Sequence, residues 1–180
     1  MPAGDGSRAV AQRLRALRAE RGLSLSELAR RADVGKGSLS EIESGRRNPT
    51  LETLYALCEP LGVPLTALIG EADGAAALAE GGMSSVLLDV RHHDGVTVEV
   101  FRLQFPAGAR HTSPGHGPGV REHLLVTRGR LRVGTRPAVE LATGEARDWD
   151  SSRRHTYAVV GDSAEAIVVI TSPSGVPSEA

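Results

Sequence analysis

The period of the apolar residues changes once along these 180 residues, and that change divides the chain. Up to about Gly70, apolar side chains recur every third or fourth position, the spacing of one helix face. Beyond Gly82 they alternate, in SVLLDV, VTVEVFRLQF, HLLVTRGRLRV, AVELA, HTYAVV and EAIVVIT. These runs are short, rich in Val and Leu, and separated by Gly, Pro and Asp, which is how strands are written. The segment between, GEADGAAALAEGG, is small and polar with glycine at both ends. It reads as a linker in which AAALAE makes at most a helical turn. The expectation is a two-domain α + β protein: a helical domain over 1–70, a linker over 71–82, and an all-β sandwich or barrel over 83–180. Only two Phe, two Tyr and one Trp are available, so both cores must be built from Leu, Val, Ala and Ile. No run approaches the ~20 apolar residues of a membrane span. MPAGDGSRAV has no signal-peptide core, and the single cysteine, Cys58, cannot close an internal disulfide. A cytoplasmic protein is expected, with Cys58 as a reduced core thiol on a helix face shared with Leu54 and Leu61.

The most informative stretch runs from Leu23 to Pro49, LSLSELARRADVGKGSLSEIESGRRNP. Ser24 can cap a helix, and Glu27 three places on completes a capping box. Leu25, Leu28, Ala29 and Ala32 share a face, with Ala29 small where a second helix must cross closely. Asp33 marks a turn. Leu39 and Ile42 form the buried side of the next helix, and Gly45 stops it. Lys36, Gly37, Ser38, Ser40 and Glu41 are left pointing outward, and Arg46, Arg47 and Thr50 lie just past the helix end.

These residues resemble the phage repressor/Cro (XRE-type) helix-turn-helix family over roughly residues 8–69. The matching pieces are SLSELARRADV, SLSEIESGRRNPTLETLYALCEPLGV and PLTALIG. The resemblance implies a five-helix bundle with helices at 8–21, 25–32, 36–44, 51–61 and 64–68, the third reading the DNA major groove. Asp33 stands where the family usually has a glycine in a left-handed turn, a conformation Asp tolerates better than most residues. The DNA-binding set is then Ser24, Lys36, Gly37, Ser38, Ser40, Glu41, Arg46, Arg47 and Thr50, and the partner is a double-stranded DNA operator. The formal net charge is only −1, split as +2 over residues 1–70 and −3 over 71–180. A local basic stripe, rather than bulk charge, must therefore hold the phosphates.

All six histidines lie in the β-region: His92, His93, His111, His116, His123 and His155. His92 and His93 precede Asp94-Gly95, a turn signal, and read as exposed. PAGARHTSPGHGPGVREHLLVTRG is followed by GRLRV and by a glycine, Gly144, with ten residues between it and His155. Glu122 and Gly129 have six residues between them. This pattern resembles the cupin family, small jelly-roll barrels, with VTRGRLRV similar to the hairpin joining two cupin strands. The departures are specific. The family's His-x-His should stand three or four residues before Glu122, where this chain has Gly117 and Pro118. The second motif has Asp150 and Val159 in place of its proline and asparagine.

Two or three imidazoles and a carboxylate facing into a barrel suit Fe, Mn, Ni or Zn. The candidate metal set is His116, Glu122 and His155, with His111 or His123 as a fourth. His123 is the weaker choice, because it neighbours Glu122 on a strand and should face the other way. With His116 out of step, no cofactor is expected, and a divalent metal is the alternative. The combination of domains implies a homodimeric transcriptional regulator, not an enzyme, whose barrel senses a small-molecule effector. Its pocket candidates are His116, Arg121, Glu122, His155 and Tyr157, with Arg121 in doubt because it alternates with Glu122. The rival reading is a mononuclear metal-dependent cupin enzyme, oxygenase- or epoxidase-like, carrying an accessory helix-turn-helix. A third is a barrel that only dimerises. Because the linker is flexible, any coupling between the domains must run through packing.

Overall fold

The computed structural model describes residues 5–70, 76–79 and 81–173. Five helices come first: α1 (Asp5–Glu20), α2 (Leu25–Arg31), α3 (Lys36–Glu43), α4 (Leu51–Leu61) and α5 (Thr66–Ile69). Their ends have local causes. Ser24 Oγ accepts the Glu27 amide at 3.1 Å and Thr50 Oγ1 accepts the Thr53 amide at 3.4 Å, capping α2 and α4. The reciprocal half of the expected capping box is absent, because the Glu27 carboxylate accepts from Arg30 and Arg31 instead. Those two guanidinium groups hold its pKa down at about 2. Asp33 is left-handed, at φ 53°, as the turn requires. Gly45, at φ 71°, ends α3 in a Schellman pair, Arg46 N to Glu41 O and Gly45 N to Ile42 O, both 2.9 Å.

Leu14, Leu28, Leu39, Ile42, Leu57 and Leu68 fill the helical core, and Cys58 is buried with them. Burial pushes the Cys58 thiol well above its usual pKa, so it is inert packing. Three arginines of α1 and Arg21 just past its end serve the fold. Arg13 donates to Ile69 O at 3.1 Å and Arg21 to Leu61 O at 2.8 Å. Arg18 grips the buried Glu43 carboxylate twice, at 2.6 and 2.9 Å, while Arg15 donates to the Glu43 carbonyl oxygen. This clamp fixes the end of α3 against α1.

Ten strands follow: β1 (Ala76–Leu78), β2 (Ser84–His93), β3 (Val96–Phe105), β4 (Arg110–Ser113), β5 (Arg121–Arg128), β6 (Arg130–Gly134), β7 (Val139–Ala142), β8 (Ala146–Asp150), β9 (His155–Val159) and β10 (Ala164–Pro173). They form two antiparallel sheets, ordered β1-β2-β3-β10-β5-β8 and β4-β9-β6-β7. The inner faces carry Phe101, Leu103, Phe105, Leu124, Val126, Leu131, Val133, Val168 and Ile170. The β2–β3 hairpin turns at Asp94 and Gly95, φ 47° and 75°, with His93 opposite Val96 and both histidines exposed as expected.

Three expectations need correction. AAALAE makes no helical turn: Ala76–Leu78 pairs with β2 as an edge strand, so the linker 71–82 is partly sheet. Its residues 71–75 and 80 lie outside the described residues. Second, VTRGRLRV is not a hairpin. β5 pairs with β10 and β8, whereas β6 pairs with β9 and β7, so Gly129 is the corner where the chain changes sheet. A Cβ there would run into the Ser163 carbonyl oxygen, which is why the corner takes glycine. Third, β4 and β8 are strands that the apolar pattern does not show. RHTS and ARDWD contribute one or two inward residues each to a sheet edge.

Candidate functional site

The N-terminal half of α3 leaves Lys36, Gly37 and Glu41 exposed, with Ser38 and Ser40 half-buried beside Leu39. Nothing lies within 4 Å of where a Gly37 Cβ would stand. Arg47 Nη1 donates to Ser38 Oγ at 3.0 Å and lies 3.9 Å from a Glu41 carboxylate oxygen. Arg46 Nε donates to Ser44 Oγ at 3.0 Å. The outward set is thus gathered along α3 and the loop after it. Ser24 and Thr50 are the caps of the helices on either side.

In the β-domain the structure brings His116, Glu122 and His155 together despite their spacing. Each offers one ligand atom, and the three atoms lie within 4.8 Å of one another, all buried. Glu122 comes from the inner face of β5 and His155 from β9. His116 comes from the loop before β5, and that loop answers the spacing problem. Gly115 passes so close to the chain that a Cβ would strike the Ser152 carbonyl oxygen, and His116 N donates to Ser151 O at 2.9 Å. The two contacts fold the longer segment back, so His116 enters from beside the strand rather than along it.

Glu122 Oε1 lies 2.7 Å from His116 Nε2 and 3.0 Å from His155 Nε2, while Oε2 accepts the Tyr157 hydroxyl. Despite the 3.0 Å approach, neither Glu122 Oε1 nor His155 Nε2 closes a directional hydrogen bond. Two imidazoles and a carboxylate held this close together and buried are a suitable set for a divalent metal. The objection raised by the spacing therefore falls. Burial opposes both charges, but the neighbouring imidazoles hold the Glu122 carboxylate well below its usual pKa. Glu122 in turn lifts His155 above the ordinary histidine value against desolvation, whereas desolvation prevails at His116 and lowers it. Burial, then Glu122, raises the Tyr157 phenol.

Arg121 is no part of this site. It is exposed on the outer face of β5 and pairs with Asp148 across to β8, as strand alternation dictates. His123 is exposed on the same side. His111 is buried, but its Nδ1 meets Glu52 Oε1 of α4 at 2.8 Å, and its ring stacks 5.7 Å from Tyr157.

That contact belongs to a seam the sequence does not announce. Helix α4 lies against the mouth of the β-domain. The Tyr55 ring packs on the His116 ring with centroids 3.8 Å apart. Leu51 and Tyr55 join Met83, Phe101, His111 and Tyr157 around an interior space of only about 10 Å³. At the other side of the seam the buried Glu99 accepts the Thr66 amide of α5 at 2.7 Å. A Glu in the middle of VTVEV is the one trace of this contact in the sequence.

A five-helix domain with a helix-turn-helix, closing the mouth of a β-domain, defines a DNA-binding regulator. Residues 14–68 match the helix-turn-helix family HTH_3. The chain is 32% identical over 128 residues to the HTH-type transcriptional regulator SutR of Escherichia coli K12, covering 69% of this chain and 72% of that protein. Those 128 residues exceed the helical domain, so the likeness continues into the β-region. The immunity repressor of Bacillus phage phi105 is 42% identical over 62 residues, 34% of this chain and 43% of that protein. A solved HTH_3 family transcriptional regulator from Vibrio cholerae superposes with a TM-score of 0.82 at 26% identity, covering 93% of this chain and 97% of its own. The chain belongs to the XRE-type helix-turn-helix family of transcriptional regulators.

Proposed function

We propose that this regulator binds its operator as a homodimer and that its β-domain, read as a cupin jelly-roll barrel, senses a small molecule. A single helix-turn-helix reaches one half-site, and two half-sites a helical turn apart need a second copy. In this reading Lys36, Ser38, Ser40 and Glu41 face base edges, Gly37 allows close approach, and Arg46, Arg47, Ser24 and Thr50 lie along the phosphates. The observation that carries the sensing role is the Tyr55–His116 stack, with Glu52 on His111 beside it. A change at His116 meets Tyr55 of the DNA-binding domain directly, and a change at Glu122 or His155 reaches it through His116. A ligand alters DNA affinity only if it prefers one arrangement of the domains over another, and this stack gives it one to prefer.

His116, Glu122 and His155 would hold a divalent metal, which would supply an electrophilic centre with open coordination positions. The same set supports the rival enzyme reading. Against it stands the small free volume beside His116 while the seam is closed, about 10 Å³ beneath α4 and about 160 Å³ between α4 and the loop at Gly117, both below the usual size of a substrate pocket. The test is operator affinity and metal content of the full chain, wild type and His155→Ala. Sensing through the triad predicts a metal equivalent lost in the variant together with a changed operator affinity. Equal affinity with and without bound metal would remove the triad from signalling.

A further inference from the structure

The interior of the β-domain is nearly full, but its outer wall beside the seam is not. The smaller sheet carries there a cleft of about 850 Å³, within the range of ligand pockets. Its floor is one row across three strands. Thr112 of β4 pairs with Thr156 of β9, which pairs with Gly134 of β6. All three lie on the face opposite His111, His155 and Tyr157. Gly134 leaves open space, and neither threonine hydroxyl has a partner among the described residues. Four arginines form the rim: Arg110 at the start of β4, Arg136 in the β6–β7 connection, and Arg153 and Arg154 between β8 and β9.

The rim arginines differ from most of those on the other β-strands. Arg91, Arg121, Arg128, Arg130 and Arg132 each lie against a carboxylate. Among the described residues none of the four rim arginines comes within ion-pair distance of a carboxylate, although the charge of Arg153 helps to lower the Asp150 pKa. The single carboxylate in the lining, Asp150, accepts the Ser152 amide at 2.8 Å. Four guanidinium groups stand around a concave floor of hydroxyls with one carboxylate among them, which leaves the cleft with an excess of positive charge. Guanidinium groups and hydroxyls are the donors that recognise carboxylate and phosphate oxygens.

We infer that this cleft binds a small multivalent anion, carrying two or more carboxylate or phosphate groups. The concave shape and the threonine floor favour a small molecule over a nucleic-acid backbone, which needs a row of cations along a surface. Arg110, Thr112 and Arg154 also line a second cleft of about 550 Å³ that reaches Asp33, Val34 and Thr53 of the helical domain. The anion therefore sits at the seam, outside the barrel, where its charge bears on how the two domains pack. The inference rests on the sensor reading for its consequence, but not for the binding itself.

The test is calorimetric titration of the full chain with citrate and, separately, with pyrophosphate, for wild type and Arg153→Ala/Arg154→Ala. All four rim arginines are exposed, so the variant keeps its packing. A Arg110→Gln variant, which removes one guanidinium at the shared corner, serves as the second arm. The expected result is saturable binding of one probe or both, weakened at least tenfold in the double variant and weakened in Arg110→Gln. Citrate alone would assign carboxylates, and pyrophosphate alone phosphates. No binding of either probe, or binding unchanged in both variants, overturns the inference. So does loss of non-specific DNA affinity and of its salt dependence in the double variant without probe binding, which would give the patch to the DNA backbone. Operator affinity measured with the bound probe is a separate readout. If it stays unchanged, the sensor reading fails while the site stands.

Discussion

At the scale of single residues, side chains of similar exposure are expected to behave differently. Lys36 can donate to guanine acceptors and Glu41 can accept from cytosine. Lys36→Ala should cost about 1–3 kcal/mol of operator affinity and relax specificity at one position. Arg46→Ala should weaken all sequences alike and flatten the salt dependence. Competition binding against a panel of operator variants checks both, and identical sequence profiles for the two would show that α3 is docked wrongly. Gly37 separates stability from function more sharply. A Cβ there meets nothing in the free protein, and Gly→Ala inside a helix gains about 0.8–1 kcal/mol. Gly37→Ala should therefore raise the melting temperature while lowering operator affinity, and a variant that binds DNA as before would free the backbone of any close approach. The residue scale is also where the sequence was least legible. Glu43 looks like one more charge on a solvated helix and is in fact gripped by Arg18. His116 looks out of step because motif spacing counts residues, whereas the Gly115 turn against Ser152 sets the actual path.

At the scale of elements, α2, α3 and α4 match their expected bounds within a residue because their ends are written locally, whereas α1 begins three residues before the expected Arg8 and α5 two residues after the expected Pro64. Thr50, Asp33, Gly45 and Gly62 act within one turn, and Gly62 takes φ 63° after α4 as an αL cap does. Long strands such as Val96–Phe105 were equally plain, since ten alternating residues leave little choice. β4 and β8 escaped because each is a short edge strand, β8 with mostly exposed side chains and β4 with polar residues, His111 and Ser113, at its buried positions. Pairing with a long neighbour makes them strands, and no window of their own sequence reports it. Two elements are joined by the Arg18–Glu43 clamp, and its loss leaves one charge facing a buried site. Glu43→Ala should lower stability by about 3 kcal/mol in urea unfolding. A change below ~0.5 kcal/mol would mean that Arg18 simply swings to solvent. Helix α4 belongs to both domains at once. Tyr55→Ala should loosen the seam, seen as faster hydrogen exchange in both α4 and the loop around His116. Exchange unchanged in that loop would reduce the stack to incidental contact.

At the scale of the whole molecule, the outer face of the larger sheet departs from the usual polar exterior. Leu88 and Leu125, 43% and 42% exposed, are the exposed large hydrophobics of the described residues. Leu125 stands opposite Ile167 on β10, and Val169 stands opposite Val100 on β3, two apolar pairs whose rows continue into Arg102 and His123. The proposed homodimer would use this face for its second copy. Leu125→Asp should convert a dimer to monomer in light scattering at micromolar concentration and reduce operator affinity; a wild-type chain that is already monomeric with DNA bound would sink the homodimer. The packing of Tyr55 against the β-domain has a practical edge as well. Anyone who cuts this protein between its domains to screen the β-domain alone removes the Tyr55 ring along with the DNA reader. His111, His116 and the apolar walls around them would then open to water, and the fragment would take up compounds that the intact regulator turns away. Hits from such a screen would rank molecules by how well they imitate a tyrosine of the protein itself, and true effectors would be those that still outcompete it in the undivided chain.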